Sequence, residues 1–316
     1  MSSRDREKEA LEERVAEHEK KTEALSSGGA ATSRRQLLGV GGLLGAGSIL
    51  GLSGMAADSA AAQTEASYDE VIHLDYNDYD SWDDIYRMSN GNPDNLTLVP
   101  SPRASGESAL QLRAREGGHW GLSTHYDFDG LHEINGRVHF ALDSGWEMNR
   151  GDSCRLWNCA IARGDSNAGG DGPPDGSDEA GWSNRMYVSS KGIEDSGPYK
   201  LESYTYHMDQ KKRWGDEIHT EMQLIEPGRW YEFEYYVRVN TIENGEALSD
   251  GVVRYWLDGE QVHEWTGLRF RNDPDNLIDT TGPVMHYGGY ETAPKNLYAY
   301  YDEHSMALNG TFDAAE

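Results

Sequence analysis

Lysine is scarce in this chain, and cysteine and phenylalanine are scarcer still. Eight lysines accompany twenty arginines, and 28 basic residues face 55 acidic ones, for a formal charge of −27. Such a chain has no basic stripe to neutralise phosphates, so nucleic acid is excluded as the expected partner. The two cysteines, Cys154 and Cys159, are too few for a disulfide framework. Without a second pair they make no zinc site. Residues five apart on one straight strand point to opposite faces, so a bridge between them requires an intervening turn. Bridged and free forms both stay open. Long apolar runs are missing as well. The weakly apolar stretch from Leu37 to Met55 is punctuated by glycine, which argues against a membrane span.

That stretch follows Ser33-Arg34-Arg35-Gln36-Leu37-Leu38-Gly39, a twin-arginine export pattern, and precedes Ala60-Ala61-Ala62, a small-residue cleavage site. Residues 1–62 are therefore expected to be a leader. The mature chain then begins near Gln63 and is secreted, outside the cell or at its surface. No cysteine stands at the end of the signal to carry a lipid anchor, and no membrane partner is expected once the leader is gone. Abundant carboxylate with little lysine looks like a halophile's surface, soluble through self-repulsion and hydration. Charge of this size is also a mark of disorder. Nine tryptophans and eighteen tyrosines oppose that reading beyond residue 68, because they supply a large apolar surface for a core.

Residues 63–316 read as one domain, with an N-terminal segment over 63–104 and a main body over 105–310. Sustained helical periodicity is absent, and short alternating runs separated by turn signals recur instead. "SALQLRA" (Ser108 to Ala114) and "INGRVHFAL" (Ile134 to Leu142) alternate. In "WYEFEYYVRVN", Tyr231, Phe233, Tyr235, Val237 and Val239 share one face, and Trp230, Glu232, Glu234, Tyr236 and Arg238 the other. Asp258-Gly259 lies between two strand-like runs and signals a tight hairpin. Strands without intervening helices predict an all-β fold, a sandwich or jelly roll. The Gly-Pro-Asp segment from Gly164 to Ala180 is a loop. Its Asp171, Asp175 and Asp178 offer oxygen ligands for a structural calcium, and equally read as a solvated acidic loop. No cofactor is otherwise expected.

The chemistry-bearing stretch is "GWSNRMYVSSKGIEDSGPYKLESYTYHM", Gly181 to Met208. As a strand, Gly181 to Val188 turns Ser183, Arg185 and Tyr187 one way and Trp182, Asn184, Met186 and Val188 the other. If Lys200 to Met208 is its antiparallel neighbour, Glu202, Tyr204 and Tyr206 line one face. One arginine, one serine and two tyrosines then share a polar, aromatic surface. This set suits β-elimination on a 4-linked uronate, which removes the C5 proton and expels the C4 oxygen. Arginine neutralises the sugar carboxylate through its fixed fork. A phenol donates to the leaving oxygen, and a phenolate beside cations takes the proton. The competing reading is structural, since tyrosine pairs are common packing residues on sheets and arginines among acids form surface ion pairs.

At these residues the sequence resembles polysaccharide lyase family 14 and the related glucuronan lyases. The resemblance continues through "EPGRWYEFEYYVRVNT", "GVVRYWLDGEQV", "GLRFRN" and "YGGYETAPKNLYAYYDEHSMAL", in that order, and covers about residues 105 to 308. It implies a concanavalin-like β-jelly roll with a substrate groove on its concave sheet, and an acidic polysaccharide such as alginate or glucuronan as substrate. It implies catalytic roles for Ser183 and Arg185, matching an S-x-R pair, and for Tyr204 and Tyr206, matching a Y-x-Y pair. The family's catalytic lysine has its nearest counterpart at Arg155, in "CRLWNCA". Arginine holds its proton, so Arg155 can bind a carboxylate but cannot act as a base. Asn158 in the same segment, Tyr187, and His119 and His125 in "GGHWGLSTHYDF" are the implied substrate-binding residues.

Two other functions fit. A non-catalytic carbohydrate-binding module would grip sugar with the same Arg, Tyr and Trp surface. A glycoside hydrolase would need two carboxylates across a groove, and Glu232 and Glu234, two apart on a strand, are the pair available.

Overall fold

Alternation between apolar and polar residues, with glycine-marked turns, builds a structure that is almost entirely β. The computed structural model describes residues 70–162, 181–193, 195–211, 214–222, 224–289 and 291–312. The segment around Arg34-Arg35, expected to be a leader, and Asp171, Asp175 and Asp178, expected as calcium ligands, lie outside the described residues. In chain order the first strands are β1 (Glu70–Leu74), β2 (Arg87–Gly91), β3 (Leu96–Val99), β4 (Ala109–Ala114), β5 (Trp120–Leu131) and β6 (Glu133–Leu142). The middle strands are β7 (Ser153–Ile161), β8 (Ser183–Ser189), β9 (Lys200–Tyr206), β10 (Asp216–His219) and β11 (Trp230–Arg238). They are followed by β12 (Ile242–Glu243), β13 (Glu246–Ala247), β14 (Gly251–Leu257), β15 (Glu260–Leu268), β16 (Ile278–Tyr287) and β17 (Leu297–Leu308). Among the described residues no helix is long and apolar enough to cross a membrane.

Two antiparallel sheets form a β-jelly roll sandwich. One runs β15-β14-β11-β6-β17-β4-β3, with β1 added along β17, and the other runs β10-β9-β8-β7-β16-β5-β2. Strands from residues 70–99 complete both sheets, since β1 pairs with β17, β2 with β5 and β3 with β4. The expected hairpin at Asp258-Gly259 joins β14 to β15, with φ of 51° and 80° at the two turn residues. Positive φ at both positions is what a tight hairpin matching the strand twist demands.

Between the sheets lies an aromatic core. Phe140, Tyr231, Phe233, Tyr235, Tyr255, Trp157 and Tyr301 are all buried there. Burying each such ring is worth about 1.5–3 kcal/mol. Tyrosine hydroxyls carried into this core need partners, and those of Tyr235, Tyr255 and Tyr301 find them on the opposite sheet. Tyr255 donates to Asn184 Oδ1 at 2.8 Å, and Asn184 Nδ2 donates to Ser203 Oγ and Thr205 Oγ1 at 3.2 and 2.9 Å. Tyr235 lies across Gly136, where a Cβ would fall 2.0 Å from its ring, and its hydroxyl meets Thr281 Oγ1 at 2.8 Å. A glycine is therefore required at 136.

The same hydroxyls account for an irregular strand. Pairing of β7 with β8 shifts register between Arg155 and Trp157 and again between Asn158 and Ala160. Each bulge leaves ladder groups unmatched. The Tyr301 hydroxyl donates to Leu156 O, and Thr281 Oγ1 donates to Asn158 O, both at 2.8 Å. The first bulge also reverses the parity of the strand between Cys154 and Cys159. Cys154 and Cys159 consequently both face the core, and both thiols are free and buried. The bridged alternative fails because β7 continues through both residues with no turn between them.

Candidate active site

Ser183, Arg185, Tyr187, Tyr204, Tyr206, Arg155 and Asn158, singled out from sequence, all lie on strands of the seven-stranded sheet. β8 and β9 pair antiparallel as expected, setting Ser183 opposite Tyr206, Arg185 opposite Tyr204 and Tyr187 opposite Glu202. β7 adds Asn158 beside Arg185 and Arg155 beside Tyr187. Arg155 and Asn158 are three residues apart and would diverge on a regular strand. The first bulge of β7 brings them to the same face. β16 contributes His286 beside Arg155, and β5 contributes Trp120 beside His286. Two rows of side chains thus cross the sheet: Asn158, Arg185 and Tyr204 in one, and His286, Arg155, Tyr187 and Glu202 in the other. Neighbouring strands lie about 4.8 Å apart, so adjacent members of a row touch or nearly touch.

Ring contacts fix the cations. The Arg185 guanidinium carbon lies 4.9 Å from the Tyr206 ring centroid, and that of Arg155 lies 5.3 Å from Trp120. Tyr204 packs between Tyr187 and Tyr206 at centroid distances of 5.2 and 5.5 Å. His286 packs against Trp120 at 4.1 Å and His119 at 5.6 Å, which draws His119 to the margin of the site. Both arginines are nearly inaccessible, at 5% exposure for Arg185 and 6% for Arg155. Two guanidinium charges withdrawn this far from water set the electrostatics of everything near them.

The consequences appear in the titrating groups. Burial drives His125 down to about 3, with Arg87, Arg155 and Arg185 adding to the effect and Asp127 opposing it. Burial likewise holds His286 far below the ordinary histidine range, helped by Arg155, His119 and Arg185. Both imidazoles are neutral at physiological pH. Burial pushes the Tyr204 hydroxyl well up, and its tyrosine neighbours push it further, against a smaller pull from Arg185. Tyr204 therefore keeps its proton, which removes it as a phenolate base and leaves it as a donor. Tyr187 is also raised, by burial first, although Arg155 and Arg185 act the other way.

Among the described residues, the Asn158 amide, the Ser183 hydroxyl and His286 Nε2 on this surface have no hydrogen-bond partner. Asn158 is 1% exposed and Ser183 fully buried. A buried group left unsatisfied costs about 1–3 kcal/mol. Such a cost is commonly tolerated where a ligand supplies the missing partners. At the far end of the second row Glu202 is satisfied, accepting from Ser153 Oγ at 2.9 Å and from His219 Nε2 at 2.7 Å. Glu202, Glu217 and His219 bring ligand atoms within 4.8 Å of one another. Lys191 already pairs with Glu217 there, so the cluster reads as an ion-pair network.

Glu232 and Glu234 lie on β11, in the other sheet. Arg137 holds Glu234 at 2.7 Å and approaches Glu232 at 3.7 Å. The pair therefore sits in an ion-pair network with Arg137, on the sheet opposite the one that carries the arginine–tyrosine face. Sequence reasoning missed His286, Arg87 and Trp120. The alternation of "PVMHY", with Met285 and Tyr287 in the core, was the available signal for His286.

No family profile matches the chain, and no curated protein matches it in sequence. Solved structures do match in fold. The alginate lyase Aly36B is 19% identical, with a TM-score of 0.57 over 78% of this chain and 100% of its own. The alginate lyase vAL-1 from Chlorella virus is 19% identical, with a TM-score of 0.51 over 67% of this chain and 88% of its own. The endo-β-1,4-glucuronan lyase from the fungus Trichoderma reesei is 16% identical, with a TM-score of 0.50 over 77% of this chain and 96% of its own. The chain thus shares the jelly-roll fold found in these polysaccharide lyases. The likeness is one of fold.

Proposed function

We propose that the protein is a secreted polysaccharide lyase that cleaves a 4-linked uronate polymer by β-elimination. One observation carries the reading: the unpartnered Asn158 amide lies beside Arg185 and Tyr204 in a single row, with Arg155 in the next. A uronate carboxylate placed there meets two guanidinium forks and an amide donor, which withdraws charge from the sugar and acidifies its C5 proton. Tyr206, stacked under Arg185, is the group that takes that proton on its phenolic oxygen. The C5–H electrons form the C4–C5 double bond, and the C4–O bond breaks. Tyr204, which burial keeps protonated, delivers its proton to the departing oxygen. Proton exchange between the two hydroxyls restores the starting state. Ser183, opposite Tyr206, orients the sugar or that hydroxyl.

The fold neighbours support an acidic polysaccharide as the substrate class. An Aly36B variant with one lysine and one tyrosine replaced by alanine was solved with an alginate tetrasaccharide. The Arg34-Arg35 leader fits delivery of such an activity outside the cell. Arg155, standing where the resembling family has lysine, favours the second reading, a module that binds the polymer without cutting it. Incubating the mature domain with alginate, polymannuronate, polyguluronate and glucuronan separates the two. A lyase generates ultraviolet-absorbing unsaturated ends, and retention of uncut polymer without absorbance establishes the module.

A further inference from the structure

His125 is held from outside the arginine–tyrosine set. Arg87, on the edge strand β2, is paired with His125 in register, and its Nη2 lies 3.1 Å from His125 Nδ1. The same guanidinium is clamped by Asp127, two residues along β5, with Nε to Oδ2 and Nη2 to Oδ1 both at 3.0 Å. A guanidinium only donates. One Nη2 hydrogen serves Asp127, and the other is available to the imidazole. Nδ1 must therefore accept, since a proton on it would meet another N–H head-on.

We infer that Arg87 is a positioning residue that fixes the tautomer of His125, so that the imidazole carries its proton on Nε2, on the side of the ring away from Arg87. Resting on the lyase reading, this excludes His125 as the proton acceptor of the elimination, because Nε2 already carries a proton and Nδ1 is taken by Arg87. The surroundings act in the same sense. The charged groups around His125 are Arg87 from β2, Asp127 from its own strand, Arg155 from β7 and Arg185 from β8. β16, which packs along β5, brings His286, itself held neutral by burial and the same arginines. Asp127 alone opposes the three cations, and its carboxylate is committed to Arg87. Arg87 is about half exposed while His125 is buried, so the clamp reaches the site from the sheet edge.

The test is spectroscopic. The mature domain is labelled with ¹⁵N-histidine, and His125 is identified by the signals lost in His125→Gln. Wild type should show a protonated Nε2 and a bare Nδ1, unchanged between about pH 8 and about pH 5. Arg87→Met should give a mixture of tautomers over the same range, because burial still holds the ring neutral. A wild-type Nδ1–H signal, titration of His125 near its ordinary value of about 6.5, or an unaltered spectrum in Arg87→Met overturns the inference. The wild-type spectrum decides the tautomer even if Arg87→Met does not fold. Activity is read separately. Nε2–H without unsaturated product sinks the lyase reading and leaves the Arg87 assignment standing, whereas product with a titrating His125 does the reverse.

Discussion

Arg185 holds its guanidinium carbon 4.9 Å from the centre of the Tyr206 ring, so cation and phenol are coupled by stacking as well as by neighbouring strands. Replacing Tyr206 with phenylalanine keeps that stacking and removes only the hydroxyl. Turnover of polyuronate should fall ~10²–10⁴-fold, the usual contribution of a general acid or base, while the unfolding midpoint stays close to wild type. Steady-state absorbance and a denaturant melt check both halves. Full activity in Tyr206→Phe would assign the proton to another group.

Arg155 tests what the site asks of its second cation. Arg155→Lys retains the charge and loses the fork as well as the ring stacking on Trp120. Losing a charge-assisted hydrogen bond worth roughly 1.5–3 kcal/mol should lower kcat/KM by about 10- to 100-fold. A gain in kcat instead would mean that a proton-moving lysine suits this position, and that neutralisation is not its main task.

Stability should depend on pH through buried histidines. His125 and His304 are held down to about 3 and His263 to about 4, burial being the main cause in each. In the unfolded chain these groups titrate near 6.5. Below that value the unfolded state binds protons that the folded state refuses. The stabilisation is therefore complete above about pH 6.5 and is lost as pH falls toward 3. Asp152 and Asp302, raised by burial, act oppositely in acid. Urea midpoints at pH 7 and pH 5 should show the acid sample weaker, and equal midpoints would contradict the burial of neutral imidazole.

With a formal charge of −27, the chain repels itself in dilute buffer. Screening shortens the reach of such charges from ~30 Å at 0.01 M salt to ~3 Å at 1 M. The thermal midpoint should rise with sodium chloride over that range, read by circular dichroism. A flat response would count against a salt-adapted surface.

Reading the sequence reached as far as alternation does. β8 and β9 alternate cleanly, so Ser183, Arg185, Tyr204 and Tyr206 could be assigned to one face before their pairing was known. β7 was out of reach because its bulges are set by partners. Leu156 and Asn158 present their carbonyls to Tyr301 and Thr281, which local pattern does not reveal. The argument against a cysteine bridge assumed a straight strand; the residues are unbridged, yet they share a face. Arg87 escaped notice because its role exists only through the pairing of β2 with β5. Glu232 and Glu234 mark the opposite limit, since spacing gives a shared face but not which sheet it belongs to.

The bond from the Tyr255 hydroxyl to Asn184, and from Asn184 to Ser203 and Thr205, ties β8 and β9 to the opposing sheet from beneath. A slip of one residue between those strands would turn Arg185 inward and Asn184 outward. That error breaks all three hydrogen bonds and buries a guanidinium against aromatic rings. The far sheet thus acts as a gauge for the near one, and the register of the arginine–tyrosine surface is held from the core side of the sandwich.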